Sequence, residues 1–275
     1  MTDLELPQSS AWWKAAVTIG GFTLFWTWET FWPFIAPAEH RLRHAGRNVA
    51  IAIANRLVLA ILFGGAIVGV IQFAAQREWG LLRQSGMSQG LQFLMALLLL
   101  DGWMYVWHRA NHRIPFLWRF HRMHHSDRSM DVTTATRFHI GEHLISSLLK
   151  LGLIPLFGLS LGHLLLYETL VVGITIFHHA NISLGRCDAW LRWILVTPFM
   201  HKVHHSPEHV ETDSNFSTVF SVWDHLARSY RMRTDCATIA FGLQDLADAD
   251  WQTIKGMLIT PLVSISSRGS EPEDQ

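Results

Sequence analysis

The sequence predicts an all-α fold: a polytopic membrane helical bundle of about four to five spans, carrying a cytoplasmic histidine-rich helical cap. Three observations lead there. Charged residues make up 16% of the 275 residues and apolar ones 49%, against roughly 25% charged in an ordinary soluble domain, so there is too little charge to coat a soluble globule of this size. The apolar residues gather in runs long enough to cross a hydrocarbon core. The 17 histidines are concentrated near the ends of those runs. The formal net charge is zero, from 22 acidic and 22 basic residues, which excludes a global basic field for nucleic acid. Two cysteines, Cys187 and Cys236, exclude a disulfide framework.

Taken in order, the run Ala15 to Ile35 carries one acid, Glu29, and is flanked by Trp12, Trp13, Trp26, Trp28 and Trp32 in the manner of interfacial belts. Asp3 and Glu5 precede it where a secretory signal would place basic residues, so it reads as a retained anchor. Leu57 to Gln76 is free of charge and is the cleanest span. Gln84 to Trp107 carries Asp101, Leu144 to Leu161 carries Lys150, and His163 to His179 carries Glu168. The last two are joined by a turn within Gly158 to Gly162 and form either two full spans or a shorter buried hairpin.

Arginine placement sets the orientation. The loop after the first run holds Arg41, Arg43 and Arg47, the segment after the third holds Arg109, Arg113, Arg119, Arg122, Arg128 and Arg137, and Arg186 to Arg233 is also basic. The loop between the second and third runs has only Arg77 and Arg83, offset by Glu78. An outside N-terminus with every basic loop cytoplasmic satisfies all of these. The chain divides into a transmembrane region (1–90), a histidine-box domain (91–235) and a C-terminal cytoplasmic tail (236–275). Asp245 to Met257 has the look of a surface helix, and Ser264 to Gln275 is a polar, frayed end.

The third run continues into Asp101-Gly-Trp-Met-Tyr105-Val-Trp-His108-Arg-Ala-Asn-His112. On a helix, positions 101, 105, 108 and 112 share one face, so His108 and His112 present two imidazoles side by side. Nine residues later comes His121-Arg-Met-His124-His125, and much later His201-Lys-Val-His204-His205. With 17 histidines in the chain, one HxxHH by chance is expected about 0.06 times, so two copies with an HxxxH beside them demand a reason. In a helical HxxHH the middle ring points about 100° from its neighbour, so one box can address two ions. Eight imidazoles are too many for one ion and suit two. Isolated histidines such as His40, His44, His163 and His209 are expected to be loop or capping residues.

On the fifth run, Glu168, Val172, Thr175 and His179 fall on one face, so Glu168 points the same way as His179, which is expected as a ninth ligand. An acid inside the membrane is a functional candidate; Glu168 and Asp101 are expected either to accept the second N–H of a ligand imidazole or to pair with Lys or Arg. Imidazole suits zinc, iron, copper and nickel alike. Glu-x-x-His pairs and HExxH are absent from the sequence, which excludes soluble di-iron bundles and zinc peptidases of those types. Gly158-Leu-Ser160-Leu-Gly162 spells GxSxG, but it falls in the turn between two apolar runs and not in the strand–turn–helix that a serine hydrolase needs.

The three boxes, in this order and amid spans, resemble the fatty acid hydroxylase/sterol desaturase superfamily. The resemblance runs from about Asp101 to Tyr230. It rests on Leu117-Trp-Arg-Phe-His121-Arg-Met-His124-His125-Ser, Thr136-Arg-Phe-His139, His179-Ala-Asn181, Thr197-Pro198, Asp213-Ser-Asn215-Phe and Trp223-Asp224. Beyond Asp224 the family's basic residue and Gly-Thr-Tyr ending are replaced by His225-Leu-Ala-Arg-Ser-Tyr230. The resemblance implies a non-haem di-iron centre (two iron ions, with zinc able to take the same ligands in purified protein) that uses O2 and external electrons to hydroxylate or desaturate a lipid or sterol-like substrate. Its implied ligands are His108, His112, His121, His124, His125, His179, His201, His204 and His205. Asp101, His139, Glu142, Glu168, His178, Asn181, Asn215 and Asp224 are the expected supporting residues. The sequence shows no rubredoxin cysteines, flavin fingerprint or fused haem module, so a separate ferredoxin, cytochrome or reductase is the expected electron donor. An alkane or carotenoid-type membrane monooxygenase shares the same centre; a haem- or metal-binding electron carrier and a metal transporter are alternatives of another class.

Overall fold

The computed structural model describes residues 9–37 and 40–264. It is all-α: 71% of it is helix, with no strand among the described residues. The helices are α1 (Ser9–Phe31), α2 (Arg41–Gln76), α3 (Leu81–Gln84), α4 (Gln89–Arg113), α5 (Pro115–His125), α6 (Ile140–Phe157), α7 (Leu161–His179), α8 (Cys187–Leu191), α9 (Pro198–His204), α10 (His209–Thr212), α11 (Val222–Leu226) and α12 (Ile254–Ile259). Among the described residues, four stretches are long and apolar enough to cross a membrane: Arg41–Gln84, α4, α6 and α7. α1 is not one of the four. It runs parallel to α7, with Lys14 against Glu168, Val17 against Gly173 and the Phe25 and Phe177 rings 5.6 Å apart.

The helices follow the apolar runs but not their edges. The expected loop holding Arg41, Arg43 and Arg47 is instead the first turns of α2. Asn48, Ile51 and Asn55 on that extension are buried, so tertiary packing, not apolar content, prolongs the helix there. The α6–α7 turn is the expected one: Gly158 takes φ 72° and caps α6, and Ser160 and His163 form a reciprocal cap at the start of α7. The chain around Gly80 crosses this turn so closely that a Cβ on Gly80 would lie 2.0 Å from the Gly158 nitrogen, which only glycine permits. Ile71, Leu82, Leu100, Ile154 and Leu164 form the apolar core between α2, α3, α4, α6 and α7.

At the other end of the helices a polar network fastens the histidine-bearing segments. His44 lies within α2 and is no loop residue: its Nε2 donates to Asp127 at 2.8 Å. Asn48 donates to the Thr133 hydroxyl at 3.0 Å and Asn55 to the Phe138 carbonyl at 2.8 Å. Glu29 accepts from the Asn181 amide at 2.8 Å and from Arg41 at 2.6 Å. Arg137, fully buried, donates to the Met123 carbonyl and the Ser126 hydroxyl at 2.9 Å each. Against burial, which pushes it up, His44 and Arg137 hold the Asp127 carboxyl well below the usual carboxylate range.

The segment Asp245 to Met257 is not a single surface helix. It breaks into short 3₁₀ turns at Gln244–Leu246 and Ala249–Gln252 before α12, and Leu246 and Met257 are fully buried. Arg122 donates to the Thr260 and Val263 carbonyls, so this segment closes over the second box. Of the polar end at Ser264 to Gln275, all but the first residue lies outside the described residues.

Candidate metal centre

The boxes sit on helices because their local sequence starts and stops helices. Pro115 occupies the first turn of α5, and Pro198 that of α9, whose cap is the Thr197 side chain accepting from the Met200 amide. His108 and His112 end α4, His179 ends α7, and His205 caps α9. The structure brings the nine expected rings together as two groups: His108, His112, His121, His125 and His204, and His124, His179, His201 and His205. Within each group one nitrogen per ring lies within 4.8 Å of all the others.

Hydrogen bonds fix which nitrogen faces inward. His108 Nδ1–H donates to the Phe216 carbonyl at 2.8 Å, His204 to Ser214 at 2.7 Å, His179 to Thr175 at 2.8 Å and His124 to Arg137 at 3.2 Å. His121 Nδ1–H donates to the Glu142 carboxylate at 3.0 Å. A carbonyl or carboxylate only accepts, so in these rings Nδ1 carries the proton and Nε2 keeps its lone pair. The Nε2 atoms of His108, His121 and His204 are buried with no hydrogen-bond partner, a state that carries a desolvation penalty unless a cation takes the lone pair. In the second group Nε2 of His179 lies 3.1 Å from that of His124 and 3.0 Å from that of His201, which lies 3.1 Å from that of His205. An ion about 2.0–2.1 Å from two nitrogens at a right angle separates them by about 3 Å. The donor set therefore fits metal.

Burial, and after it the neighbouring imidazoles, hold the His124, His125, His201 and His205 rings far below the ordinary histidine range, and burial brings His204 down to about 3. The rings are thus neutral at physiological pH, the form that ligates.

Asn215 holds two of these rings at once. It adopts φ 53°, a left-handed conformation Asn tolerates. Its side chain donates to the Met200 and Arg231 carbonyls at 3.0 and 2.7 Å. The residues on either side, Ser214 and Phe216, are those whose carbonyls receive His204 and His108. Asp224 tightens the same turn by accepting from the Phe216 and Ser217 amides at 2.8 and 2.9 Å.

Other expected supporters lie elsewhere. Glu168 touches no imidazole; it pairs with Lys14 and, at 2.9 Å, with Lys150, because α1 and α6 deliver two ammonium groups to its level. Asp101 likewise accepts from Tyr167, the Phe220 amide and the Trp223 indole at 3.1, 3.0 and 2.8 Å, so its partners are not histidines. His139 caps α6 and bonds the Leu258 carbonyl at 3.0 Å. Asn181 exchanges hydrogen bonds with Ile35. His178 is buried and packs its ring 3.9 Å from that of His201, outside both groups. His225 stacks on Trp193 at 4.6 Å, away from both groups.

Several supporting residues escape a sequence reading. Four of the five Nδ1 acceptors named above are neutral: backbone carbonyls, which carry no side-chain signature. Lys202, fully buried, donates to the Ala180 carbonyl at 2.8 Å and ties the third box to the end of α7. Its place inside HKVHH was visible, but its burial was not.

A family model described as fatty acid hydroxylase matches residues 93–229. Ornithine lipid hydroxylase OlsE of Rhizobium tropici is 31% identical over 143 residues, 50% of this chain and 41% of that protein. Human cholesterol 25-hydroxylase is 30% identical over 148 residues, half of each chain. Alkylglycerol monooxygenase of Xenopus tropicalis is 29% identical over 139 residues, 48% of this chain and 29% of that one. The chain thus spans half or less of the length of these relatives. No solved structure matches it at a significant level.

Proposed function

Since this chain belongs to the fatty acid hydroxylase family, we propose that it is a membrane-bound oxidoreductase that hydroxylates or desaturates a lipid or sterol-like substrate with O2 and electrons from a separate ferredoxin, cytochrome or reductase. The observation that carries the reading is the gathering of nine buried imidazoles into groups of five and four, in an orientation that turns lone pairs inward. His108, His112, His121, His125 and His204 would hold one iron ion, and His124, His179, His201 and His205 the other, with zinc able to occupy the same nitrogens in purified protein. Iron held there supplies the activation of O2 that attack on an unactivated C–H bond requires.

The chain's own residues prepare that chemistry. The Phe138 ring stacks on His124 at 4.3 Å, and Trp118 and Phe216 pack on His112 at 5.1 and 5.2 Å. These aromatic walls exclude water and fix the rings. A lipid substrate is supported by depth. Asp101 lies seven residues before His108, about 10 Å along α4, within a candidate span. It bonds the segment around Phe220 and Trp223, on which Val222 and Leu226 are exposed. Apolar surface at that depth suits acyl chains. The arginine distribution supports boxes on the cytoplasmic side, which a reporter fusion at Ser126 tests: a signal from outside overturns that orientation. A haem carrier is disfavoured, because five and four imidazoles converge in the two groups, whereas haem iron takes only one or two axial ligands from the protein.

The test is expression with lipidomics, comparing the intact protein with His124→Ala in the presence of oxygen and a working reductase. A lipid that gains one oxygen atom, or loses two hydrogens, only with the intact protein identifies reaction and substrate together. Identical lipid profiles overturn the reading.

A further inference from the structure

The two groups of imidazoles differ in the charge behind them. Of the five rings with an Nδ1 acceptor described above, four face neutral carbonyls. His121 alone among them faces a carboxylate, Glu142 at 3.0 Å. Glu142 is itself buried, and its other oxygen accepts from Asn111 Nδ2 at 3.4 Å, Asn111 being the residue before His112. The local fold frees Glu142 for this contact. It is the third residue of α6, where a glutamate commonly folds back to cap its own helix. Here the helix start is capped by the His139 ring, which accepts from the Gly141 amide at 2.9 Å, and the Glu142 carboxylate turns inward to His121 instead. The first turn of an eighteen-residue helix also favours a negative charge.

We propose that Glu142 is a positioning residue that makes the two ions of the centre inequivalent: by accepting Nδ1–H of His121 it renders the five-histidine group the more electron-rich donor set, which binds its ion more tightly and favours that ion's ferric state. The proposal rests on the two-iron reading above. The physical reason is that a carboxylate behind an imidazole pulls on the Nδ1 proton and raises the basicity of Nε2. In a buried site this influence is weakly screened. The four-histidine group has no such partner in the contacts described: His124 and His179 lean on the carbonyls of Arg137 and Thr175.

The experiment compares the full-length protein with Glu142→Gln and Glu142→Ala, each loaded with ferrous iron. Iron content is followed by elemental analysis across a chelator series, and Mössbauer spectra are recorded on isotopically enriched iron. The wild type is expected to hold two ions that give distinct signals. Glu142→Ala is expected to lose one of them at a roughly 10–100-fold lower chelator concentration while the other is unmoved. Glu142→Gln keeps an acceptor for His121 but no charge. It is expected to retain both ions, with one Mössbauer signal shifted and the corresponding reduction potential raised. A merely structural role would move both ions together and leave the Gln spectrum like the wild type; either result overturns the proposal. If Glu142→Ala does not fold, the Gln spectrum and potential decide alone. Two ions in the wild type with unchanged variants overturn this proposal only, whereas a wild type that holds no iron overturns the two-iron reading and this proposal with it.

Discussion

In the cap, Arg122, Arg137, Lys202 and Asp127 are at most 1% exposed, whereas along α2 Leu57, Ile61 and Leu62 are 57–81% exposed. The two regions invert one another, and each is stable for its own reason. Apolar side chains facing hydrocarbon need no partner, since lipid is as apolar as they are. Polar side chains packed inside must each find one, and in the cap Arg137, Asp127, Asn48 and Lys202 do. The inward nitrogens of His108, His121 and His204 do not. The inward nitrogens are thus the buried polar atoms that a metal ion would satisfy, and substitutions in the two regions should differ accordingly.

The largest effect belongs to the rings. His204→Ala should cut product formation by about 100-fold or more and lower the bound metal, by lipid analysis and elemental analysis respectively. Stripping the wild type with chelator should lower its melting temperature by roughly 5–10 °C, restored by ferrous iron; an unchanged melting curve would mean that the cap is satisfied without metal. Next comes Asp101→Ala, which orphans the Tyr167 hydroxyl, the Trp223 indole and the Phe220 amide inside the bilayer depth. It should destabilise the protein by about 3 kcal/mol or more, read by thermal unfolding in detergent. Glu168→Gln sharpens the comparison: its lysine partners are about one third exposed or less, so the loss should be about 1–2 kcal/mol, with metal content untouched because no imidazole contacts it. Ile61→Val, on the lipid face, should change stability by less than about 0.5 kcal/mol.

What the sequence made legible follows the same division. Spans and boxes are periodic features, set by 3.6 residues per turn, so the apolar runs and His108, His112, His121, His124 and His125 declared themselves locally. The extension of α2 back to Arg41 did not, because it depends on Asn48 and Asn55 finding partners more than eighty residues away. The partners of the membrane acids were open for a related reason. Glu168 shares a helical face with His179, yet Lys14 and Lys150 arrive from two other helices, and no pattern within α7 announces them. The Phe216 and Ser214 carbonyls were invisible because every residue has one; only the left-handed turn at Asn215 makes them special. Glu142 was legible as a carboxylate near a box, but its ring was not.

The parentage of the two groups has a bearing on how the molecule is made. Four of the five rings in one group come from α4 and α5, neighbours joined at Ile114, and only His204 comes from far downstream. The other group takes one ring from α5, one from α7 and two from α9 and its cap. Joining segments close in the chain sacrifices less disorder than joining distant ones. During synthesis the first half of the centre is therefore nearly whole once α5 folds against α4, while the second waits until the last box emerges and docks. A chain truncated before residue 201 would lack one of the five rings of the first group and two of the four of the second, so neither group is complete until the third box is in place.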